Sequence, residues 1–229
     1  MKEAVIVSAV RSAVARGKSD GSLATVHPID LSAEVMKAAA AKAGVDPALI
    51  EDIQWGCAMP EASQGLNVAR LSMLRAGFPV EVSAATINRF CSSGLQSVAY
   101  AAQAIMSGMN EVVLAGGVEM MSQVPMSGYH TQLHPELTEA YIGMGFTAER
   151  VAERWGISRA DQDAWALRSH QKALEAQARG AFDEQIVPIP VKKVHWKGSK
   201  KQVEEVLFAK DELPRADTSL ERLAKLTPA

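Results

Sequence analysis

A cysteine at the junction of a strand-like run and a helical run most constrains how this chain can fold. Residues Val82 to Ile87 are apolar and β-branched, Cys91 to Gly94 read Cys-Ser-Ser-Gly, and apolar residues recur at helical spacing from Leu95 to Met106. The pattern predicts a thiol at a helix N-terminus, where unpaired backbone N–H groups and the positive end of the helix dipole favour thiolate over thiol. Gly94 carries no side chain next to the sulfur, so a bulky ligand can approach the backbone there.

The helix that follows the cysteine has no charged face. No Asp, Glu, Lys or Arg occurs from Ser92 to Asn110, and a helix without a charged face is typical of a protein interior. We therefore expect this helix to be buried on all sides, with its N-terminus directed into an active site. Most free cysteines are core residues, but the polar and glycine neighbours of Cys91 favour a pocket.

Strand-like and helical runs alternate through residues 1–122. This alternation predicts an α/β domain with a mixed, mainly parallel sheet and helices on both faces. The predicted strands are Glu3–Ala9, Asp52–Cys57, Ala84–Asn88 and Glu111–Ala115, and the predicted helices before the cysteine are Leu31–Ala43, which Asp30 can cap, and Asn67–Arg75.

The pattern changes in residues 123–229, which we interpret as a second, α+β domain. An irregular stretch leads to predicted helices at Thr147–Trp155 and Arg159–Ala178, the latter with Ser158 and Asp161 in a capping-box arrangement. Phe182–Val194 is predicted to be extended, and Ser219–Lys225 to be a short last helix.

Composition excludes several classes of function. The net charge of −2 gives no electrostatic case for binding nucleic acid or an acidic membrane. Two cysteines make neither a disulfide framework nor a zinc site, and Cys57, at the end of an apolar strand, is interpreted as structural. No apolar run approaches membrane-spanning length. Reduced thiols and a strand-like N-terminus predict a cytoplasmic location.

Several motifs along the whole chain resemble the N-terminal part of a thiolase, the acyl-CoA:acetyl-CoA acyltransferase family. The family's nucleophile motif is matched by the segment Asn88-Arg89-Phe90-Cys91-Ser92-Ser93-Gly94-Leu95. Its Gly-Gly–Glu–Met–Ser signature is matched by the segment Gly116-Gly117-Val118-Glu119-Met120-Met121-Ser122. Further segments in family order are Val5 to Arg11, Asn67 to Arg70, Ala76 to Pro79, Met144 to Glu149, Ser158 to Asp163 and Lys225 to Ala229. The resemblance implies a thiolase-like fold with residues 123–229 as the loop domain and with the family's C-terminal half absent.

The family's chemistry implies roles for four residues. Cys91 would attack the 3-keto carbonyl of a 3-ketoacyl-CoA and hold the acyl group as a thioester, and its backbone N–H could donate to the oxyanion. Arg215 is implied as a contact to coenzyme A phosphate or adenine, Met144 as a wall of the acyl pocket, and Leu137 as a further substrate contact. Coenzyme A and acyl-CoA enter as substrates, and no tightly bound cofactor is implied. The reaction belongs to fatty-acid β-oxidation, or runs in reverse as a Claisen condensation.

The rest of the family's catalytic machinery lies in its second half. It comprises a histidine in Gly-His-Pro, a cysteine in Cys-x-Gly and an asparagine in Asn-Glu. His27-Pro28 follows Val26 and His134-Pro135 follows Leu133, so neither is Gly-His-Pro. We therefore expect the chain alone to be inactive, with the missing half supplied by another chain or by a longer protein. A complete enzyme is expected to be a homodimer or homotetramer.

Two other readings remain open. The chain could be a truncated, non-catalytic half-thiolase that acts as an interaction module. It could also be another condensing enzyme of the same fold, a ketoacyl synthase or hydroxymethylglutaryl-CoA synthase, although those lack the Glu119-Met120-Met121-Ser122 signature. A cysteine protease is disfavoured, because no histidine lies in a recognisable partner motif.

Overall fold

The computed structural model describes residues 2–129 and 132–228 of the chain. Two compact units are present: Met1–Tyr129 with Glu184–Glu212, and His130–Asp183 with Leu213–Ala229. The boundary predicted between residues 122 and 123 differs from this division, because the Glu184–Glu212 segment rejoins the first unit. That segment supplies a strand beside the N-terminal region and a hairpin to the first unit's core.

The elements follow one another in an order close to that predicted. The first unit contains β1 (Arg11–Ser12), α1 (Pro28–Ala43), a 3-10 helix (Pro47–Leu49), β2 (Asp52–Gly56), a second 3-10 helix (Ala62–Gln64), α2 (Val68–Arg75), β3 (Ser83–Ile87), α3 (Ser93–Ser107), β4 (Val113–Gly117), β5 (Ile186–Val187), β6 (Ile189–Lys197) and β7 (Lys200–Phe208). The second unit contains a 3-10 helix (Pro135–Tyr141), α4 (Met144–Trp155), α5 (Arg159–Ala178) and α6 (Leu220–Leu223).

A three-stranded parallel sheet with helices on both faces forms the centre of the first unit. Its strand order is β3-β2-β4, and Trp55 of β2 lies opposite Thr86 and Gly116. On one face, Trp55 Nε1 donates to Ser32 Oγ of α1 at 3.3 Å. On the other face, α3 packs against β2 and β4. The prediction of a mainly parallel sheet covered by helices on both faces is therefore confirmed.

The hydrophobic core lies between this sheet, helices α1 and α2, and the β6–β7 hairpin. Its largest fully buried apolar side chains are Met36, Ile53, Met73, Val68 and Ile189. The hairpin is antiparallel along its whole length, and it contributes Ile189 and Val191 to the core. In the second unit, α4 and α5 contain no buried residue.

The strand predicted at Glu3–Ala9 is wrong. In this part of the chain only Arg11 and Ser12 form a strand, β1, which pairs in parallel with β5. Among the described residues no strand pairs with the segment before Arg11. Its backbone N–H and C=O groups therefore have no neighbouring strand to bond to, despite the β-branched sequence. Its apolar side chains remain exposed, Ile6 by 80%.

A groove of about 830 Å³ separates the segment Ala4–Val10 from β4, and both of them line it. Residues of α1 and α3 line it as well. Because α1 and α3 cover opposite faces of the sheet, the groove continues the plane of the sheet beyond β4. In the described residues β4 pairs with β2 alone, which places β4 at an edge of the sheet.

Full burial of α3 was also expected, and the structure corrects this. Ser93, Ser97 and Ala101 face the sheet and are buried, but Leu95 is 74% exposed and Val98 and Met106 are also exposed. The helix covers one face of the sheet, and no described element covers its opposite face. An uncharged helix surface is therefore left in solvent.

The helix termini show where local sequence chemistry was sufficient. α5 begins and ends at the predicted residues, and Ser158 Oγ accepts the Asp161 N–H at 3.1 Å as its cap. α1 begins earlier than predicted, because His27 takes the cap position by accepting the Ile29 N–H at Nδ1, and Pro28 is tolerated in the first turn. Asp30 lies in the first turn and pairs with Arg75.

Candidate active site

The carboxyl ends of β2, β3 and β4 meet at one edge of the sheet, because the three strands are parallel. Hydrogen bonds continue across this edge: the Cys57 N–H donates to the Ile87 carbonyl and the Val118 N–H to the Gly56 carbonyl, both at 2.9 Å. The segments after the three strands therefore lie side by side.

Cys91 occupies a tight turn that joins β3 to α3. The Ser92 N–H donates to the Arg89 carbonyl at 3.1 Å and the Ser93 N–H to the Phe90 carbonyl at 3.0 Å. Ser92 is the N-cap of α3, so Cys91 immediately precedes the helix, and the residue is exposed. The structure thus presents a solvent-accessible thiol at the start of a helix, as the strand–Cys–helix pattern predicts.

The first turns of α3 lie directly on the sheet. Ser97 Oγ donates to the Gly116 carbonyl of β4 at 2.7 Å. Gly56 of β2 lies against the backbone of Ser93 and Gly94 with no room for a side chain. The missing side chain of Gly56 therefore sets the depth at which the cysteine-bearing helix sits.

The other cysteine has the opposite environment. Cys57 is buried in the core, and burial, together with the nearby Glu119 carboxylate, raises the pKa of its thiol to about 12. A buried, protonated thiol is a poor nucleophile. This environment supports the structural interpretation of Cys57.

A polar cluster that the sequence analysis did not identify lies beside the turn. Glu119, after β4, accepts the Ala58 N–H at 2.7 Å, the Met59 N–H at 3.3 Å and Gln64 Nε2–H at 2.8 Å. Gln64 is fully buried, and its amide also donates to the Met59 carbonyl and accepts the Met120 N–H. Glu119 belongs to the Gly-Gly–Glu–Met–Ser signature described above. Nothing in the sequence near Gln64, however, indicates its contact with Glu119.

Each histidine whose side chain is described accepts a backbone N–H at Nδ1. His27 and His134 each accept a backbone N–H as helix caps, from Ile29 and Glu136 respectively. His170 Nδ1 accepts the Arg215 N–H at 3.2 Å. The side chain of His195 and all of His130 lie outside the described part of the chain.

The three predicted substrate contacts all belong to the second unit, whereas Cys91 belongs to the first. Leu137 lies in the 3-10 helix Pro135–Tyr141, at a residue with non-helical backbone angles, and Met144 is the first residue of α4. Both side chains are exposed, and so is Arg215. Their roles in binding coenzyme A or the acyl chain stay predictions.

Within residues 2–129 and 132–228, no group of three or more His, Cys, Asp or Glu side chains could hold a metal ion. In the same ranges, no helix is both long and apolar enough to cross a membrane.

These features define an α/β protein that carries an exposed thiol where a parallel strand meets a helix. A family model described as the thiolase N-terminal domain matches residues 4–229. The chain belongs to the thiolase family.

Known relatives agree along the whole chain. It is 49% identical to a 3-ketoacyl-CoA thiolase of Bacillus subtilis (strain 168) and 42% identical to one of Aliivibrio fischeri, and both alignments cover 100% of this chain. Among solved structures, an acetyl-CoA acetyltransferase of Bacillus anthracis superposes with a TM-score of 0.81 at 40% identity, again over 100% of this chain. This chain spans 60% of the first relative, 58% of the second and 59% of the solved structure.

Proposed function

We propose that this chain supplies the nucleophilic part of a thiolase, which cleaves a 3-ketoacyl-CoA to acetyl-CoA and a shortened acyl-CoA. The exposure of Cys91 at the carboxyl edge of the sheet is the observation that carries the proposal. The names of the relatives supply the substrate class.

In the proposed reaction the Cys91 thiolate adds to C3 of the 3-ketoacyl-CoA. The C2–C3 bond then breaks, which leaves an acyl thioester on Cys91 and an acetyl-CoA carbanion that takes up a proton. The thiol of free coenzyme A, deprotonated by a base, attacks the thioester and releases the acyl-CoA and the Cys91 thiolate. Covalent catalysis of this kind divides one difficult step into two easier ones. The N–H of Cys91 is proposed as a donor to the oxyanion.

The proton-transfer groups are proposed to come from the part of a thiolase that this chain does not cover. Losing a general base typically costs ~10²–10⁴-fold in rate, so the chain alone should show no measurable turnover. Arg215, Met144 and Leu137 are proposed to contact coenzyme A and the acyl chain, and no tightly bound cofactor is required. A cytoplasmic location is part of this proposal.

An acetoacetyl-CoA cleavage assay tests the proposal. The 229-residue chain is assayed alone and then with the part of the Bacillus subtilis relative that it does not cover. Turnover should appear only in the mixture and should disappear with Cys91→Ser but persist with Cys57→Ser. Robust turnover by the chain alone would mean that one of its own histidines serves as the base.

A second candidate, a non-catalytic interaction module, is favoured by the groove beside β4 and by the exposed face of α3. We propose that both surfaces receive the remaining part of a thiolase, on the same or another chain. Binding of that part to Cys91→Ser protein without any turnover in the native mixture would support this candidate over the enzyme.

The complete enzyme is proposed to be a homodimer or homotetramer, as the family resemblance implies. Light scattering on the complemented protein measures its mass. A complemented particle containing only one copy of this chain would contradict the proposed assembly.

A further inference from the structure

The residue immediately before the nucleophile has an unfavourable backbone conformation. Phe90 has φ 46°, in the left-handed region that a bulky side chain rarely adopts. Its own side chain is exposed and gives it little packing support. Because Phe90 directs the chain into Cys91, whatever holds its conformation also sets the direction of the thiol.

The Asn88 side chain stabilises this turn through two hydrogen bonds, one from each polar atom of its amide. Its Oδ1 accepts the Phe90 N–H at 2.9 Å, and its Nδ2 donates to the Ala58 carbonyl at 3.0 Å. The first bond fixes the left-handed residue, and the second ties the turn to the segment that follows β2. No other side chain in the described ranges bonds to both the Phe90 N–H and that segment.

The Ala58 segment is itself fixed from the opposite direction. Glu119 accepts the N–H groups of Ala58 and Met59, and the fully buried Gln64 holds both Glu119 and the Met59 carbonyl. A continuous path therefore runs from Glu119 through the Ala58 peptide and Asn88 to Phe90. It crosses all three segments at the carboxyl edge of the sheet.

The helix side of the turn has its own support. Ser93 Oγ donates to the Phe90 carbonyl at 2.6 Å and accepts the Arg89 N–H at 2.9 Å. The peptides on both sides of Phe90 are thus bonded, and the exposed thiol projects from a turn clamped at Asn88 and Ser93.

We propose that Asn88 is a positioning residue for Cys91, and that Glu119 acts on Asn88 through the Ala58 peptide. This inference rests on the proposed function, since it takes Cys91 to be the reacting thiol. In the native turn Cys91 is exposed and directly precedes the N-cap of α3. A turn released at Asn88 would let Phe90 relax and carry the sulfur away from that position.

The test measures the rate of Cys91 alkylation by iodoacetamide in the full chain at pH 7, read by peptide mass spectrometry. Asn88→Leu keeps the size of the side chain and removes both bonds. Asn88→Ser retains a hydroxyl that can accept the Phe90 N–H. Ser107→Ala, which removes a bond at the far end of α3, is the matched control.

Asn88→Leu should slow Cys91 alkylation by at least about fivefold, because the loss of one net hydrogen bond changes the turn equilibrium by about that factor and this variant loses two. Asn88→Ser should restore most of the rate, and Ser107→Ala should not change it. Glu119→Gln should slow it in the same direction. Its effect combined with Asn88→Leu should be smaller than the product of the two, because both act through Ala58.

A rate unchanged in Asn88→Leu, or equally low in the Ser and Leu variants, overturns the positioning role but leaves the proposed nucleophile intact. If Cys91 is alkylated no faster in the native chain than in the urea-unfolded chain, the assignment of Cys91 as the nucleophile is itself refuted. If Asn88→Leu does not fold, Glu119→Gln carries the comparison, and an unchanged rate in that variant overturns the inference.

Discussion

Gly56 of β2 lies so close to Ser93 of α3 that a Cβ on the glycine would stand 2.5 Å from the serine carbonyl carbon. The obstructing atoms are backbone atoms of the helix, so a side chain at residue 56 cannot be accommodated by a rotamer change. This contact fixes the height of the cysteine-bearing helix above the sheet.

Gly56→Ala should therefore displace the first turn of α3 and destabilise the fold. Overpacking of this kind typically costs about 1–3 kcal/mol, and it should also change the alkylation rate of Cys91. Urea unfolding followed by circular dichroism gives the free energy. An alanine at residue 56 that leaves both quantities unchanged would contradict the close packing.

Gly94→Ala, in α3 itself, provides the opposite case. A Cβ at Gly94 meets no atom within 4 Å, and the residue has no left-handed backbone angle. We expect a gain of about 0.4–1 kcal/mol in the free energy of unfolding, since alanine restricts the unfolded chain. The complemented enzyme should lose activity, because a methyl group would stand where acyl-CoA is proposed to approach Cys91. A stability gain without loss of turnover would contradict the proposal that acyl-CoA approaches Cys91 past Gly94.

The two cysteines should differ sharply in reactivity. Cys91 is exposed, whereas Cys57 is buried with a pKa raised to about 12. Iodoacetamide at neutral pH should alkylate Cys91 much faster in the folded chain, and unfolding in urea should bring the two rates together. Equal rates in the folded protein would refute the assignment of Cys91 as the reactive thiol.

The ion pair between Arg11 and Asp211 should make stability depend on pH. The Arg11 guanidinium donates to both Asp211 oxygens, at 2.8 and 3.0 Å, and it lowers the pKa of that carboxyl below its usual 3.8, against the opposing effect of burial. A carboxyl with a lower pKa in the folded state stabilises the fold above its unfolded pKa. That contribution is lost as the pH falls through the folded value.

Asp211→Asn should therefore lower the free energy of unfolding by about 1.5–3 kcal/mol at pH 7. The difference between variant and native protein should shrink below about pH 4. Glu205→Gln is the control, because its pair with Lys192 is exposed and should contribute less than about 1 kcal/mol. A pH-independent difference for Asp211→Asn would show that the pair does not act through its charge.

Sequence patterns were sufficient where the deciding contacts are local. Ser158 and Asp161 lie three residues apart, so their cap could be predicted, and the bounds of α5 followed. The position of Cys91 before α3 is likewise set by neighbouring residues. Helix α1 ends at Ala43 as predicted, and Gly44 takes the left-handed conformation there.

Contacts between distant segments could not be predicted in the same way. Glu119 and Gln64 are 55 residues apart, and only the parallel order of β2 and β4 brings them together. The strand prediction at Glu3–Ala9 failed for the same reason, since a β-branched run becomes a strand only when another strand lies beside it. The exposed face of α3 depends in turn on which elements are available to cover it.

The exposed apolar segment around Ile6 also affects the solubility of the protein. Exposed apolar side chains promote association between copies, so we expect concentrated solutions of the chain to pair through this segment and to precipitate. Ile6→Lys would act as a gatekeeper there, because a charged side chain opposes stacking between copies. The residue lines the groove but takes no part in the turn around Cys91, so solubility can be adjusted separately from thiol reactivity.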